Sequence, residues 1–556
     1  MRVLGFSVGH DKGAVIIENG KVAVGISQER LSRIKRDGGH QGGLIPLDSI
    51  NYCLNYLEIT YKDIDLYVYS TTEEIDDVDS QFQNAFPRLD KSILKFLPHH
   101  LAHAYSSFFS SGMDEAAVIV ADASGSIITY KNKTHLWYDP KDYNLDTNQD
   151  WAEGITICHF TKNEYKELYK KWIKYPVPIN TNEDVSLGTV YSTGSIQVVY
   201  EPNTNTWPAG KLMGLASYAD PDVVNEAPLF IKELENDIFI PNDVIYPKVN
   251  WEFDFFTKAG VAGIYQREQE RGSLILAKMA KKFTGSSNVC TSGGSFLNCN
   301  SNEKILNSEL FEKCFFLPPS DDSGIPLGCA WYAYQQLVDI EKTEFISPYF
   351  GKKYKRNEII ETLNEFPEYE YIEYDNYDNL NKEVVNWLKL NRVIGWFQDG
   401  SEIGPRALGN RSIIASPINK WMHGYINMDI KKREWYRPFA PAVLFEHQSE
   451  IFDSNVYSPH MLVTTSVKPD WREKIPAVTH IDNSARHQSV TPESNLKFYN
   501  LINKFYEETN VPVLLNTSFN GPFEPIVETP KDAIKCMIQT NLDFLVINNF
   551  LISKRW

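Results

Sequence analysis

Cysteine is sparse in this 556-residue sequence. There are seven, odd in number and scattered without paired spacing, which gives no basis for a disulfide framework or a zinc ribbon and fits a reducing compartment such as the cytoplasm. Long hydrophobic runs are missing too: no uninterrupted apolar stretch reaches the roughly 18 residues of a membrane span. The first eight residues run straight into polar Gly9-His10-Asp11, the pattern of a buried strand and its turn and not of a signal peptide. Positive charge is in deficit, with 55 Lys and Arg against 72 Asp and Glu and a formal net charge of -17. That balance argues against direct nucleic-acid binding, which needs a basic surface to displace counterions. A Walker loop, Gly-x-x-x-x-Gly-Lys-Ser/Thr, occurs nowhere. What remains is a folded composition, 42% hydrophobic and 23% charged, with length enough for two or three domains.

Hydrophobic patterning predicts strands over 2–8, 13–17 and 21–26, the last two joined by Asn19-Gly20, a strong hairpin signal. Leu47, Ile50, Leu54 and Leu57 follow helical spacing, and residues 66–69 read as another strand. About a hundred residues on, the pattern restarts: an apolar strand over 116–121, the turn Asp122-Ala-Ser-Gly, a return strand over 126–130 and a further stretch over 134–138. A strand, an acidic glycine turn and a hairpin used twice point to internal duplication, as in the two-lobed actin and sugar-kinase arrangement of ribonuclease-H-like halves. Residues 140–205 lack clear periodicity. Helices are expected over 209–216, 274–283 and 330–340, and a strand over 288–292, with a linker to about residue 356.

Two histidines four apart, His99 and His103, share one face of a helix, their Cβ atoms roughly 5–6 Å from each other. With Asp122 closing an apolar strand they form a candidate divalent metal site of imidazole and carboxylate character. Such pairs also occur on ordinary helices, and strand-ending aspartates also cap turns. Gly293-Gly294, after a strand, would let the backbone approach a bound phosphate or nucleotide, though such glycines are also plain punctuation. Asp321 and Asp322 precede a helix, where aspartates commonly cap.

The last third concentrates cations among Gly, Pro and aromatic residues: Gly404-Pro-Arg-Ala-Leu-Gly-Asn-Arg-Ser412, Lys431-Lys-Arg-Glu434, Arg437-Pro-Phe-Ala-Pro441 and Asp482-Asn-Ser-Ala-Arg486. A strand then ends in Asn516-Thr-Ser518-Phe-Asn520. Guanidinium forks pair bidentately with phosphate oxygens, so their convergence in an acidic protein points to a phosphate or nucleotide ligand.

Taken together and in order, these blocks resemble the O-carbamoyltransferase family of antibiotic and nodulation-factor biosynthesis, over nearly the whole chain. The resemblance implies a duplicated actin-like, ribonuclease-H-like domain over 1–345, similar to the transferase that makes threonylcarbamoyladenosine in tRNA. A YrdC-like α/β domain would follow over 346–556. It implies that carbamoyl phosphate and ATP, with Mg, give carbamoyl adenylate, and that the carbamoyl group passes to the hydroxyl of a small-molecule acceptor. Carried over residue by residue, His99, His103, Asp122 and Asp322 match metal ligands, and His10 and Lys35 match catalytic positions. Gly293, Gly294 and Asn298 match adenylate contacts. Arg406, Lys431, Arg437, Arg486, Asn516 and Ser518 match the carbamoyl phosphate and ATP site. The family's metal is iron, whereas the donor types alone also suit zinc or manganese. Lys12 and Arg36 depart from the family pattern beside His10, as does Phe523 later on. An ATP-dependent kinase of the same fold, an actin-like assembly protein and a tRNA-modifying transferase are the competing readings. The first needs neither the histidine pair nor the arginine-rich region, and neither of the first two requires carbamoyl phosphate.

Overall fold

Alternation of buried side chains sets the first sheet. In the computed structural model, which describes residues 1–38, 44–72, 75–128, 137–177, 183–199, 208–241, 253–340 and 345–554, β1 (Arg2–Val8), β2 (Gly13–Glu18) and β3 (Lys21–Ser27) form an antiparallel meander. Asn19 and Gly20 both take positive φ, 51° and 78°, the two-residue hairpin geometry that matches strand twist. After α1 (Gln28–Ser32) and α2 (Leu47–Tyr56), β4 (Leu66–Thr71) joins β1 in parallel. Beyond α3 (Ile75–Ala85), β5 (Leu94–Phe96) joins β4, for a sheet order of β3-β2-β1-β4-β5.

The same order recurs. α4 (His99–Ser110) leads to β6 (Glu115–Ala121), the short β7 (Ile127–Ile128), β8 (Asp150–Thr161) and β9 (Tyr165–Tyr175). α5 (Leu187–Val199), α6 (Ala209–Ala216), α7 (Pro221–Glu226), the ribbon β10 (Lys232–Glu233) and β11 (Ile238–Phe239), and α8 (Phe255–Thr284) come next. β12 (Asn288–Ser292), α9 (Cys299–Leu306), β13 (Lys313–Phe316) and α10 (Ile325–Gln335) complete the unit. β9, β8 and β6 pair antiparallel, then β6, β12 and β13 in parallel. The second half therefore repeats the strand order and directions of the first: the duplicated, ribonuclease-H-like actin arrangement.

Three expectations are corrected. The hairpin partner of β6 is β8 with β9, whereas the expected return strand at 126–130 is described only as β7, and 129–136 lie outside the described residues. Register shifts at Glu153/Ile155 and Ile157/Cys158 break the period-two pattern that would have shown these strands in the sequence. The helix expected over 274–283 is the 30-residue α8, whose Gly263 and Gly272 read as breakers but instead admit Ala219, Val224 and Leu187 at close range. The helix expected over 330–340 begins five residues earlier, at Ile325.

α4 and α10 exchange sheets. α4 lies on β6, β8 and β12, while α10 packs on β1, β2 and β4 and against α4. Close approach explains two glycines. A Cβ on Gly5 would stand 2.1 Å from the Pro326 carbonyl oxygen, and one on Gly328 1.8 Å from that of Ala102. Every residue of α4 is buried, so the helix that carries the histidines has no solvent face. On the other face of the first sheet, Phe6 stacks on Tyr69 and Phe82 within a core that includes Leu4, Ile16 and Val78.

Ser347–Trp556, with Arg33–Lys35, form the second unit. Its strands are β14 (Tyr369–Glu373), β15 (Ile394–Phe397), β16 (Arg411–Ala415), β17 (Ala440–Leu444), β18 (Thr465–Ser466), β19 (Ser484–Ala485), β20 (Gln488–Val490), β21 (Val513–Ser518), β22 (Phe544–Ile547) and β23 (Phe550–Lys554). Eight of them make one mixed sheet in the order β14-β23-β22-β15-β16-β21-β17-β20. Trp396, Ile414, Phe439, Leu514 and Phe505 lie in its core. This is the α/β domain expected from the YrdC resemblance. No helix among the described residues is long and apolar enough to cross a membrane.

Overpacking of a closed interface typically costs about 1–3 kcal/mol. Gly328→Ala is expected to destabilise the first unit by about 3 kcal/mol, read as a lower first transition in calorimetry. Gly210→Ala, whose Cβ would meet nothing within 4 Å, should leave that transition unchanged or higher.

Candidate functional site

α4 begins at His99, immediately after Pro98. Four-residue spacing places the imidazoles of His99 and His103 on one face, edge to face with ring centroids 4.8 Å apart. Asp122 follows the end of β6, and Asp322 opens the tight turn that runs into α10. One ligand atom from each of the four lies within 4.8 Å of the others. Nε2 of His103 is 3.2 Å from Asp122 Oδ2 and 3.5 Å from Asp322 Oδ1, and Nε2 of His99 is 3.6 and 3.4 Å from the same oxygens. Ligands about 2.1 Å from a shared cation, at tetrahedral or octahedral angles, stand about 3.0–3.4 Å apart. The four imidazole–carboxylate distances, 3.2–3.6 Å, lie close to that spacing.

Orientation points the same way. Ser292 Oγ, 2.9 Å from Nδ1 of His103, fixes that ring with Nε2 toward the carboxylates. Asp122 Oδ1 accepts the Ala123 amide at 2.7 Å, which leaves Oδ2 for the imidazoles. Nε2 of His99 is buried and has no hydrogen-bond partner, an unmet polar atom that a metal ion would satisfy. Burial opposes charge on His99, but Asp322 and Asp122 outweigh it and push its pKa up to about 10. Burial likewise opposes ionisation of Asp122, and His103 and His99 outweigh it and hold the carboxyl below its usual range. Without a cation, protonated imidazoles carry the balancing charge. The donor set of two imidazoles and two carboxylates fits a divalent metal ion.

His10 sits at the rim. Its Nδ1 is 2.9 Å from Asp11 Oδ2 and its Nε2 is 3.6 Å from Asp322 Oδ2, so Asp322 faces the histidine pair with one oxygen and His10 with the other. Burial pulls the His10 pKa down, and Asp322 and Asp11 override it to about 9. Its side chain is 38% exposed, open to a ligand. Two neighbours of His10 are each engaged: Lys12 pairs with Asp37 at 2.8 Å, and Arg36 lies 3.9 Å from Asp11. Gly293, at φ 95°, presses on the Ala121 backbone, and a Cβ on Gly294 would come within 3.2 Å of Asp122 Oδ1. Asn298 lies deeper, exchanging two side-chain hydrogen bonds with Gln266 and capping α9.

In the second unit, Glu402 organises the loop that carries Arg406. Its Oε1 accepts the amides of Leu408, Asn410 and Arg411 at 2.7, 2.8 and 3.2 Å. Arg411 is fully buried, stacks 3.5 Å over Phe397 and donates to the carbonyls of Gln398, Asn410 and Asp399. Lys431 is held by neutral oxygens: the Ser518 carbonyl, Ser518 Oγ and both oxygens of Asn520. Burial, with Arg433 and Lys35 nearby, holds its pKa well below the ordinary lysine value. Burial and the charges of Arg437 and Arg486 do the same for Arg433. Asn516 donates to the Gln488 side chain at 2.9 Å, and its Oδ1 is buried without a partner.

The structure thus brings His99, His103, Asp122 and Asp322 together with His10 and Gly294 beside them. It gathers Lys431 with Ser518, and Arg437 with Arg486 around Arg433. Lys35 groups with the second unit, where its charge adds to that of Lys431. Sequence reasoning passed over Arg433, Asn520, Glu402 and Ser292. Arg433 and Asn520 stood inside the quoted motifs, whereas Glu402 and Ser292 act through contacts that no spacing displays.

Residues 2–92 and 85–331 match the family model for the carbamoyltransferase N-terminus, and residues 385–554 match that for the carbamoyltransferase C-terminus. An uncharacterized protein of Synechocystis is 30% identical over 98% of this chain and 95% of its own length. Nodulation protein NolNO of Sinorhizobium fredii is 31% identical over 98% of this chain and 79% of its own. An uncharacterized protein of Methanocaldococcus jannaschii is 28% identical over 99% of each.

Metal analysis of the purified chain by mass spectrometry is expected to find one divalent ion per chain. Each of His103→Ala and Asp322→Ala should weaken metal affinity by more than about 100-fold, beyond the 10–100-fold lost with outer-shell partners.

Proposed function

The chain belongs to the carbamoyltransferase family, and on that premise we propose that it is an ATP-dependent O-carbamoyltransferase acting on a hydroxyl of a small molecule. The observation that carries the reading is the convergence of His99, His103, Asp122 and Asp322 in the first unit. The cation cluster of the second unit supports it.

In this reading the second unit makes the donor. Carbamoyl phosphate and water give carbamate and phosphate; carbamate then attacks the α-phosphorus of ATP, forming carbamoyl adenylate and releasing pyrophosphate. Arg406, Lys431, Arg437 and Arg486 would neutralise phosphate charge as it shifts, with Mg on the nucleotide. Asn516 and Ser518 would bond the bound anion, and the buried Oδ1 of Asn516 has capacity for an N–H of the carbamoyl group. Lys431 gains most: its hydrogen-bond partners are neutral oxygens, and a phosphate would bring negative charge into direct contact.

The first unit would perform the transfer, in which the acceptor oxygen displaces AMP from the carbamoyl carbon. A divalent ion, iron in this reading, supplies Lewis acidity toward the carbonyl. His10 would hold or relay the acceptor proton, with Asp11 orienting its ring. The backbone at Gly293 and Gly294, free of side chains, would admit the adenylate beside Asp122, and Asn298 would contact it. Lys35 would contribute a second positive charge near Lys431.

With ATP and carbamoyl phosphate and no acceptor, the chain is expected to release pyrophosphate and retain an AMP species. ATP turnover indifferent to carbamoyl phosphate would overturn the reading. Arg406→Ala should lower pyrophosphate release by about 10²–10³-fold, the usual loss for one charge-stabilising donor. His103→Ala should leave pyrophosphate release intact while abolishing carbamoyl transfer, followed by mass spectrometry across a panel of hydroxyl acceptors.

A further inference from the structure

The helix that carries both histidines begins without a cap of its own. Pro98 precedes α4 and offers no side-chain acceptor, yet the first-turn amides of a buried helix need partners. They find them in the segment after Asp122 and on β8. Ser126 Oγ accepts the His99 amide at 2.9 Å, and Glu153 Oε2 accepts the His100 amide at 3.1 Å.

That same Oε2 also accepts the Ser126 amide at 3.0 Å. The two segments are further sewn by Gly125 N to the Glu153 carbonyl, 2.8 Å, and Glu153 N to the Ser126 carbonyl, 3.1 Å. A Cβ on Gly125 would lie 2.8 Å from both Glu153 Oε2 and the His100 ring, so the turn after Asp122 rests directly on this carboxylate. One side chain therefore grips both metal-bearing elements: α4 through the His100 amide, and the 122–126 turn through the Ser126 amide.

Glu153 is wholly buried, and a buried carboxylate needs a paired charge. Lys170, its side chain 1% exposed, provides it at 2.8 Å from Oε1. The Tyr138 hydroxyl donates to the same oxygen at 3.1 Å, and the rings of Tyr138 and Trp172 flank the ammonium. His100 is turned away from the metal cluster, its Nδ1 2.8 Å from Thr156 Oγ1 on the strand that bears Glu153.

We propose that Glu153, anchored by Lys170 and acting through Ser126 and the His99 and His100 amides, is a positioning residue that sets the aim of both imidazoles on the metal. This rests on the metal reading above. Outer-shell partners of metal ligands are worth about 10–100-fold in affinity.

The test uses the full chain loaded with cobalt(II), titrated against a competing chelator, with the visible d–d spectrum as the geometric readout. Ser126→Ala removes one cap acceptor with little change in volume. Glu153→Leu/Lys170→Met removes the carboxylate without stranding its partner, and Glu153→Gln/Lys170→Met keeps an acceptor oxygen. The first two should bind cobalt about 10–100-fold more weakly with shifted bands, and amides 99–103 should exchange faster in the metal-free state. The Gln/Met variant should stay within about 3-fold of native, well inside that range. Native-like affinity and spectrum in Ser126→Ala and in the Leu/Met variant would overturn the inference, as would a Gln/Met variant no better than Leu/Met. Should the double variants fail to fold, Ser126→Ala decides alone. If the native chain binds no cobalt, the metal reading fails, and this failure is distinct from variants that bind like the native chain.

Discussion

Two carboxylates held together in a largely buried place are the constraint that the first unit is built to satisfy. Asp122 and Asp322 approach the same imidazole nitrogens, and like charges this close repel strongly where water is scarce. Only positive charge among them makes the arrangement stable, whether from imidazolium or a metal ion. The duplicated topology supplies the meeting point. β6 is central in its sheet, flanked by β8 and β12, so its end delivers Asp122 into the interior. α10 delivers Asp322, and its contact with α4 through Gly328 keeps that carboxylate in register with His103.

The second unit meets a related difficulty with the opposite sign. Its cations crowd one another: Arg433 feels Arg437 and Arg486, and Lys431 feels Arg433 and Lys35. The backbone around them is tied down in advance by Glu402 and by the buried guanidinium of Arg411. Rigid loops that crowd positive charge favour a bound polyanion, because the cost of assembling them is met at folding and not at binding.

Local order was the legible part. Asn19-Gly20 announced its hairpin, the apolar runs at 2–8 and 288–292 announced strands, and the spacing of His99 and His103 announced a shared helix face. Each is a statement about residues within a few positions of each other. The motif blocks also carried the family, which no single block could have done. β8 and β9 stayed hidden because register shifts disturb their alternation. α8 was cut short because its glycines serve close helix packing, which in sequence looks like chain breaking.

By itself, then, the sequence determined the local elements, the repeated strand-turn-hairpin pattern, the histidine pair and the inventory of cations, since all of these follow from backbone preference and period. The resemblance already named Asp322 among the paired aspartates, but only the tertiary structure showed how the two divide their roles: Asp321 caps the turn through Ser323, while Asp322 is directed at His99 and His103. It alone joined Glu153 to the start of α4 across 53 residues of sequence, and Lys431 to Ser518 across 87. The reason is physical. Buried polar groups must find partners wherever the chain returns, and the pairing of strands, not the spacing of residues, determines where that is.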